Sequence, residues 1–261
     1  LASRLDIPLT ADVVHIDESA VSRFQPNLRD EPYLHTKLDD DPEYEVLRIS
    51  TNAQGFRDVD HVQRREPGTL RVAFVGDSFV FGMDVKAADT IPALVRREFK
   101  TRRGADGREV EVFNFGLPGL NAEGMGRVTQ IFAAPFTPEV VVYSFISDDV
   151  SRTDVVTWQS WMHDWGATID RLPDALGAWL RNEGLVRYKM LRYQFDTAVF
   201  RLFPSLYASR VETICTFWDE LARQAGHRVV VMDFSRFPPA TEALRACQAA
   251  RPDRFTLITD F

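Results

Sequence analysis

Three short polar clusters each follow an apolar run, and their residue types could support chemistry. They are "GDS" (76–78), "NFGLPGLN" (114–121) and "SDDV" (147–150). A serine such as Ser78, held in a tight turn after a strand, can attack a carbonyl if a base takes its proton and N–H donors face the oxyanion. Glycine at position 119 lets a backbone N–H approach a substrate closely. The clusters therefore suit nucleophilic acyl transfer.

Each cluster also has a structural explanation that local chemistry does not exclude. Ser78 could be a turn or capping residue, and Gly119 could serve the geometry of its loop. The acids Asp148 and Asp149 could bind a metal, orient a histidine or face solvent. The G-x-S-x-G elbow of α/β-hydrolases is absent, because Val80 stands where its second glycine would be. No His/Asp cluster has metal-ligand spacing, so we expect no metal.

The surrounding pattern predicts the elements that must position these clusters. Apolar runs predict strands, and the segments between them, with their capping residues and apolar spacing, predict helices. Strands are predicted over 70–76, 108–116, 138–146, 227–234 and 254–261, and helices over 89–104, about 122–133, 208–225 and 240–250. This alternation predicts an α/β fold with a parallel sheet. Because such strands end at one edge, Ser78, Gly119 and Asp148 are predicted to lie at the same edge.

The alternation also suggests how the chain is divided. Residues 1–69 are polar and rich in turn signals, and predict an N-terminal extension that packs on the core, with a short strand within 44–51. Residues 70–261 predict the α/β domain, interrupted by a helical insertion at 151–207. The Trp-rich stripes of the insertion indicate core packing or a lid. The basic flank within 185–203 indicates a solvated helix face, with membrane association as the alternative.

Composition limits the function classes. The 261 residues are 45% hydrophobic and 26% charged, as in a globular domain. A net charge of −7 without a dense Lys/Arg tract argues against nucleic-acid binding. The G-x-G-x-x-G and Walker patterns are absent, so we expect no nucleotide cofactor. Two cysteines, Cys215 and Cys247, form neither a disulfide framework nor a metal signature, and a single bridge between them stays open.

Three blocks in this order resemble the SGNH/GDSL hydrolase superfamily. They are "FVGDSFVFG" (74–82), "NFGLPG" (114–119) and "VVVYSFISDD" (140–149), and "TNAQGFRD" (51–58) is similar to a segment that precedes the GDS block in some bacterial members. The resemblance covers about residues 50–150. It implies a flavodoxin-like three-layer αβα sandwich and a serine esterase or acyltransferase acting on acyl or acetyl esters, with glycans as the first candidate substrates.

The resemblance also implies roles for individual residues. Ser78 is the nucleophile, and the N–H groups of Ser78 and Gly119 bind the oxyanion. Asp148 stands where the family has an asparagine as the third donor. An ionised aspartate accepts hydrogen bonds and cannot donate one, so activity is expected to be low unless Asp148 is protonated, or Ser147 or a water substitutes.

The family's general base, in a terminal Asp-x-x-His block, has no counterpart in the sequence. The order in "MHDW" (162–165) is wrong, and we expect the block beyond Phe261. His227 is predicted to be structural or exposed, and His163 could approach the site only if the insertion folds over it. The other histidines, His15, His35 and His61, are predicted on the surface.

Two further expectations follow from these features. The sequence begins at Leu1 without an initiator methionine, so an upstream signal or anchor could precede it, and an extracytoplasmic location is slightly favoured. The departures at Asp148 and at the missing histidine keep a second interpretation open, a catalytically impaired binding or scaffolding protein. A flavodoxin-like phosphate binder is the weakest candidate. The oligomeric state is not indicated.

Overall fold

The structure is a computed structural model that describes most of the chain outside the predicted insertion. It covers residues 14–15, 23–35, 46–83, 85–150 and 198–259. The Trp-rich stripe, His163 and most of the basic flank within 185–203 lie outside the described residues. Residues 198–202, at the end of the insertion, are helical.

Two small antiparallel pairs precede the main sheet. β1 (Val14–His15) pairs with β2 (Arg23–Phe24), and β3 (Glu31–His35) pairs with β4 (Val46–Ile49). The short strand predicted within 44–51 is confirmed by β4. Phe24, Ile49 and Phe56 are buried in the main hydrophobic cluster, so this part of the chain packs on the core. Its division from residues 70–261 as a separate unit stays a prediction.

Five parallel strands form the central sheet. They are β5 (Thr69–Gly76), β6 (Glu109–Gly116), β7 (Val140–Phe145), β8 (Arg228–Asp233) and β9 (Phe255–Ile258). They lie in the order β6-β5-β7-β8-β9, which is 2-1-3-4-5 in chain order. This is the flavodoxin-like order, and it confirms the predicted fold class.

Helices cover both faces of the sheet, because the strand residues alternate between two apolar clusters. Ala73 and Val75 belong to the larger cluster, and Phe74 belongs to the smaller one. The helices are α1 (Ser78–Phe81), α2 (Ile91–Thr101), α3 (Ala122–Val128), α4 (Pro204–Ala225) and α5 (Pro238–Ala250). α2 packs on the smaller cluster, whereas α3, α4 and α5 contribute to the larger one.

Local signals place the helix ends as expected. The Thr90 hydroxyl accepts the Ala93 N–H at 3.3 Å and caps α2, and the Asn121 side chain accepts the Gly124 N–H at 2.7 Å and caps α3. After α3 the chain continues as a π-helical segment, Thr129–Ala133. The helix predicted over 122–133 is thus present, with wider winding in its second half.

Cys215 and Cys247 form a disulfide, which settles the pairing that the sequence leaves open. The bridge joins α4 to α5, with the two Cα atoms 6.2 Å apart. Both cysteines are fully buried in the larger cluster. In the part of the chain that the structure describes, every helix is too short or too polar to cross a membrane.

Candidate active site

The three polar clusters meet at the carboxyl edge of the sheet. Gly76 and Gly116, the last residues of β5 and β6, are register partners, and the Leu117 N–H donates to the Gly76 carbonyl at 2.9 Å. On the other side of β5, a Cβ added at Gly76 would lie 2.1 Å from the Ser144 Oγ of β7. The convergence predicted from the strand ends is therefore present in the fold.

Ser78 is the first residue of α1, and Asp77 performs the capping. The Asp77 side chain is fully buried, and its Oδ1 accepts the Phe79 N–H at 3.0 Å. The Ser78 side chain is half-buried, and its Oγ makes no hydrogen bond to any of the residues that the structure describes. The capping explanation for Ser78 therefore does not hold, because the neighbouring acid caps the helix.

α1 lies directly against the end of β6 because position 116 has no side chain. A Cβ at Gly116 would lie 2.2 Å from the Phe81 nitrogen and 2.6 Å from the Val80 carbonyl carbon, and backbone atoms cannot move aside easily. The single helical turn ends at Gly82, where φ is +77°. The N–H groups of Gly82 and Met83 both donate to the Ser78 carbonyl at 3.0 Å.

Gly119 occupies a tight turn that follows β6. The Leu120 N–H donates to the Leu117 carbonyl at 3.2 Å, and Gly119 has φ of +79°. Pro118 followed by glycine is the sequence pattern of a type II turn, which requires positive φ at the glycine. Loop geometry thus accounts for the residue type. The role of the half-buried Gly119 N–H towards an oxyanion stays a prediction.

The two neighbouring acids have different surroundings in the turn that follows β7. Asp149 is buried, and its Oδ2 accepts the Ile146 N–H at 2.9 Å, which fixes the turn. Asp148 is half-buried, and the Ser147 hydroxyl donates to its Oδ1 at 3.4 Å. Asp148 is therefore more exposed than Asp149, whose Oδ2 is bound within the turn.

Residues from α4 and the end of β8 complete this edge, and sequence reasoning missed them. The Tyr207 hydroxyl donates to the Ser147 carbonyl at 3.2 Å. Burial raises the pKa of Tyr207, and the carboxylates of Asp149, Asp233 and Asp148 raise this pKa further, so the phenol is neutral. Asp233 could have been found, because it is an acid near the end of the strand predicted over 227–234. No sequence signal marked Tyr207.

An aromatic pair lies beside the serine. Phe79 is 47% exposed, although it is large and apolar, and its ring stacks on Phe234 with the centroids 5.3 Å apart. Phe234 follows β8, and its N–H donates to the Phe145 carbonyl at the end of β7. An apolar surface therefore adjoins Ser78 at the same edge.

Neither histidine with a described side chain is placed to serve Ser78. The surface position predicted for His61 is wrong: its side chain is 8% exposed, with Nε2 2.9 Å from Asp58 and Nδ1 3.2 Å from Glu111. His227 is buried at the amino end of β8, opposite the edge that carries Ser78. Burial lowers the pKa of His227 to about 4.

A cavity of about 750 Å³ lies elsewhere, along the outer side of β6. Its walls come from residues 59–66, from β6 and from α2 with the residues that follow it, and they carry both signs of charge, including Arg96, Lys100, Glu109 and Glu111. Ser78, Gly119 and Asp148 do not line this cavity. Among the described residues, no group of three or more His, Cys, Asp or Glu side chains could hold a metal ion.

The fold and this edge together define an α/β protein with flavodoxin-like strand order and a serine at the carboxyl end of its first central strand. No protein-family model and no curated protein matches the chain. Solved structures are similar to it at low identity. The SGNH-hydrolase family esterase AlinE4 is 10% identical, with a TM-score of 0.42, over 74% of this chain and 77% of that one. A lipase/acylhydrolase from Enterococcus faecalis is 17% identical, with a TM-score of 0.39, over 73% and 75%.

Proposed function

We propose that the chain is an SGNH-type serine hydrolase that acts on acyl esters, with Ser78 as its nucleophile. The observation that carries the proposal is the state of Ser78. Ser78 is half-buried at the carboxyl edge of the sheet, and Asp77 takes over the capping role that would otherwise account for a serine here. Edges of this kind are where functional groups gather in open α/β sheets.

The proposed reaction proceeds through an acyl-enzyme. The Ser78 Oγ attacks the ester carbonyl while a histidine base, proposed to lie outside the described residues, accepts its proton. The N–H groups of Ser78 and Gly119 stabilise the oxyanion. The tetrahedral intermediate then collapses, the C–O bond to the alcohol breaks, and the alcohol leaves with the proton from the histidine. Water, or a sugar hydroxyl in a transferase, then attacks the acyl carbonyl while the histidine takes its proton. The bond to Ser78 Oγ breaks, Oγ receives that proton, and the carboxylic acid or the new ester leaves.

The substrate class that we propose is a short acyl or acetyl ester, with a glycan as the alcohol. The support is the resemblance of the three sequence blocks to SGNH proteins, together with the apolar surface of Phe79 and Phe234 beside Ser78. Apolar contact of this kind suits the hydrocarbon part of an acyl group. Hydrolysis and transfer to a second hydroxyl proceed through the same acyl-enzyme, so the proposal covers both an esterase and an acyltransferase.

A fluorophosphonate probe tests the nucleophile on the full-length protein. We expect covalent labelling of the wild type and none of Ser78→Ala. Ser235→Ala is the matched control, because Ser235 lies at the same edge in the residues that follow β8, and this variant should keep its labelling. A wild type that folds but is not labelled, or Ser78→Ala labelled like the wild type, would contradict the proposal.

A second candidate function is a binding module on the same fold. Two observations favour it: Asp148 stands where a hydrogen-bond donor is expected, and the described histidines His61 and His227 are held away from Ser78. A folded wild type that binds an acetylated oligosaccharide in calorimetry, with neither probe labelling nor release of acetate, would favour this candidate over the hydrolase.

We also propose an extracytoplasmic location. The support is the Cys215–Cys247 disulfide, since such bridges form and persist mainly in oxidising compartments. Thiol trapping tests it, with the cells quenched in acid and the protein denatured before alkylation, because both cysteines are buried in the folded protein. Alkylation of both cysteines without prior reduction would indicate a reducing compartment instead.

A further inference from the structure

We infer that Arg57 is a positioning residue for Ser78, an inference that rests on the proposed function. Arg57 is only 4% exposed, and its guanidinium lies against the end of α1. Nη1 donates to the Gly82 carbonyl at 2.6 Å and to the Phe81 carbonyl at 3.3 Å, and Nη2 donates to the Val85 carbonyl at 2.8 Å. We call α1 together with its two capping residues (77–82) the serine turn. One side chain thus holds the end of this turn and the backbone that follows it.

The contacts of Arg57 fix the turn in one place because a buried guanidinium needs its partners. A buried charge without hydrogen bonds is strongly disfavoured, so a displacement of the carbonyls is opposed. The Arg57 Cζ also lies 5.3 Å from the centre of the Phe81 ring, in the last residue of α1. The turn has few hydrogen bonds of its own, since α1 is only four residues long.

The next residue, Asp58, holds the neighbouring strand. Its Oδ2 accepts the Asn114 N–H at 2.7 Å, and the Arg57 carbonyl accepts the Asn114 side-chain amide at 3.2 Å. The Asn114 Oδ1 in turn accepts the Gly116 N–H at 2.9 Å. Residues 57 and 58 therefore connect the serine turn to the end of β6, from which the Gly119 loop begins.

The segment that carries Arg57 is itself rigid. The Asn52 Oδ1 accepts the N–H groups of Gln54 and Phe56, both at 3.0 Å. Gly55 has φ of +82°, and a Cβ there would lie 2.2 Å from the Phe24 carbonyl oxygen. The Phe56 side chain is fully buried in the core. The segment "TNAQGFRD" (51–58) is thus a fixed support beneath the serine turn.

This support should affect the rate of reaction at Ser78. A displacement of about 1 Å between reacting groups can lower a rate by about 10²-fold, because the attack geometry is lost. Lysine keeps the positive charge of Arg57 but presents one ammonium group, which cannot reproduce the planar fork that reaches three carbonyls. Arg57→Lys therefore tests the geometry of the contact more than its charge.

Arg71→Lys is the matched control. Arg71 is only 1% exposed and, like Arg57, binds backbone carbonyls through its guanidinium, but it lies near the amino end of β5, and its Nε also donates to the Glu111 carboxylate at 2.7 Å. Its carbonyl partners belong to Val62, Gln63, Arg64 and Phe136. Both substitutions should lower the melting temperature, whereas only Arg57→Lys should disturb the serine turn.

The experiment measures fluorophosphonate labelling rates of the full-length variants at a temperature where each is folded. We expect Arg57→Lys to be labelled about 10- to 100-fold more slowly than the wild type, and Arg71→Lys to match the wild type. Hydrogen exchange at the Gly82 and Met83 amides should be faster in Arg57→Lys only. Arg57→Gln replaces the lysine variant if the latter does not fold.

Two results would overturn the inference. One is labelling of Arg57→Lys at the wild-type rate, and the other is an equal loss of labelling in Arg57→Lys and Arg71→Lys. A wild type that is not labelled would instead reject the proposed function. The exchange measurement still decides in that case, because unchanged exchange at Gly82 and Met83 in Arg57→Lys would show that Arg57 does not hold the turn.

Discussion

Asp148 is the residue at which the candidate site departs most clearly from the pattern that the sequence resembles. Its carboxylate is half-buried at the open edge and accepts from the Ser147 hydroxyl. In the proposed function Asp148 takes the place of the third oxyanion donor, and there an ionised carboxylate, which can only accept hydrogen bonds, would disfavour a developing oxyanion. The neighbouring Asp149 is buried, and its Oδ2 accepts the Ile146 N–H within the turn.

Asp148→Asn should therefore raise the reactivity of Ser78. The amide supplies an N–H donor of nearly the same size, and one oxyanion donor is typically worth about 10²–10³ in rate. The measurement is the rate of fluorophosphonate labelling, together with the hydrolysis of p-nitrophenyl acetate. Asp149→Asn is the control and should not raise either rate. An Asp148→Asn variant that reacts more slowly than the wild type would show that the carboxylate is needed as it stands.

At the scale of elements, the packing of α1 on β6 sets the position of the serine turn. Gly116→Ala should displace α1, because the added methyl would overlap the backbone of Val80 and Phe81. We expect a lower melting temperature and slower labelling of Ser78, measured by thermal unfolding and by the fluorophosphonate assay.

Gly107→Ala provides the comparison for this effect. Gly107 has φ of +80°, so alanine there is strained, but a Cβ would meet no atom within 4 Å. This variant should lose stability while Ser78 keeps its labelling rate at temperatures where the protein is folded. If Gly116→Ala and Gly107→Ala label equally fast, the close contact between α1 and β6 does not control the serine.

The elements were predictable where local pattern determines them. Buried apolar runs predicted the central strands, and candidate capping residues predicted helix starts: Asn121 for α3, and either Asp89 or Thr90 for α2, of which Thr90 is the cap. The contacts of Arg57 and His61 were not predictable, because both depend on partners distant in the sequence: Arg57 reaches Gly82, 25 residues away, and His61 reaches Glu111, 50 residues away. Contacts between distant residues leave no periodic pattern in the sequence. Arg57 and His61 also lie in a polar, turn-rich segment, whose composition predicts an exposed loop rather than buried side chains.

At the scale of the whole molecule, the disulfide joins α4 to α5, the two helices that pack beside β8 and β9. It closes a loop with a sequence separation of 32 residues, and a loop of this length restricts the unfolded chain by about 3–4 kcal/mol. Reduction should therefore lower the melting temperature. Calorimetric scans with and without dithiothreitol measure this, with a Cys215→Ala/Cys247→Ala variant as the control that should not respond. Equal scans of the wild type in both buffers would contradict the prediction.

His227 should make the stability of the whole molecule depend on pH in a defined window. Burial lowers the pKa of His227 to about 4, against an ordinary value of 6.5, so the folded protein holds the imidazole neutral. The unfolded chain binds the proton first as the pH falls, and folding is therefore disfavoured progressively from about pH 6.5 to pH 4. The loss amounts to about 3 kcal/mol across this window.

His227→Phe removes the titrating group and should flatten the pH dependence of the unfolding free energy there, measured by urea denaturation at several pH values. The carboxylates of Glu139, Glu212 and Asp219, whose pKa values arginine partners lower, lose their contribution at lower pH in both proteins and cancel in the comparison. Parallel profiles for the wild type and His227→Phe between pH 4 and 6.5 would show that the burial of His227 does not govern acid stability.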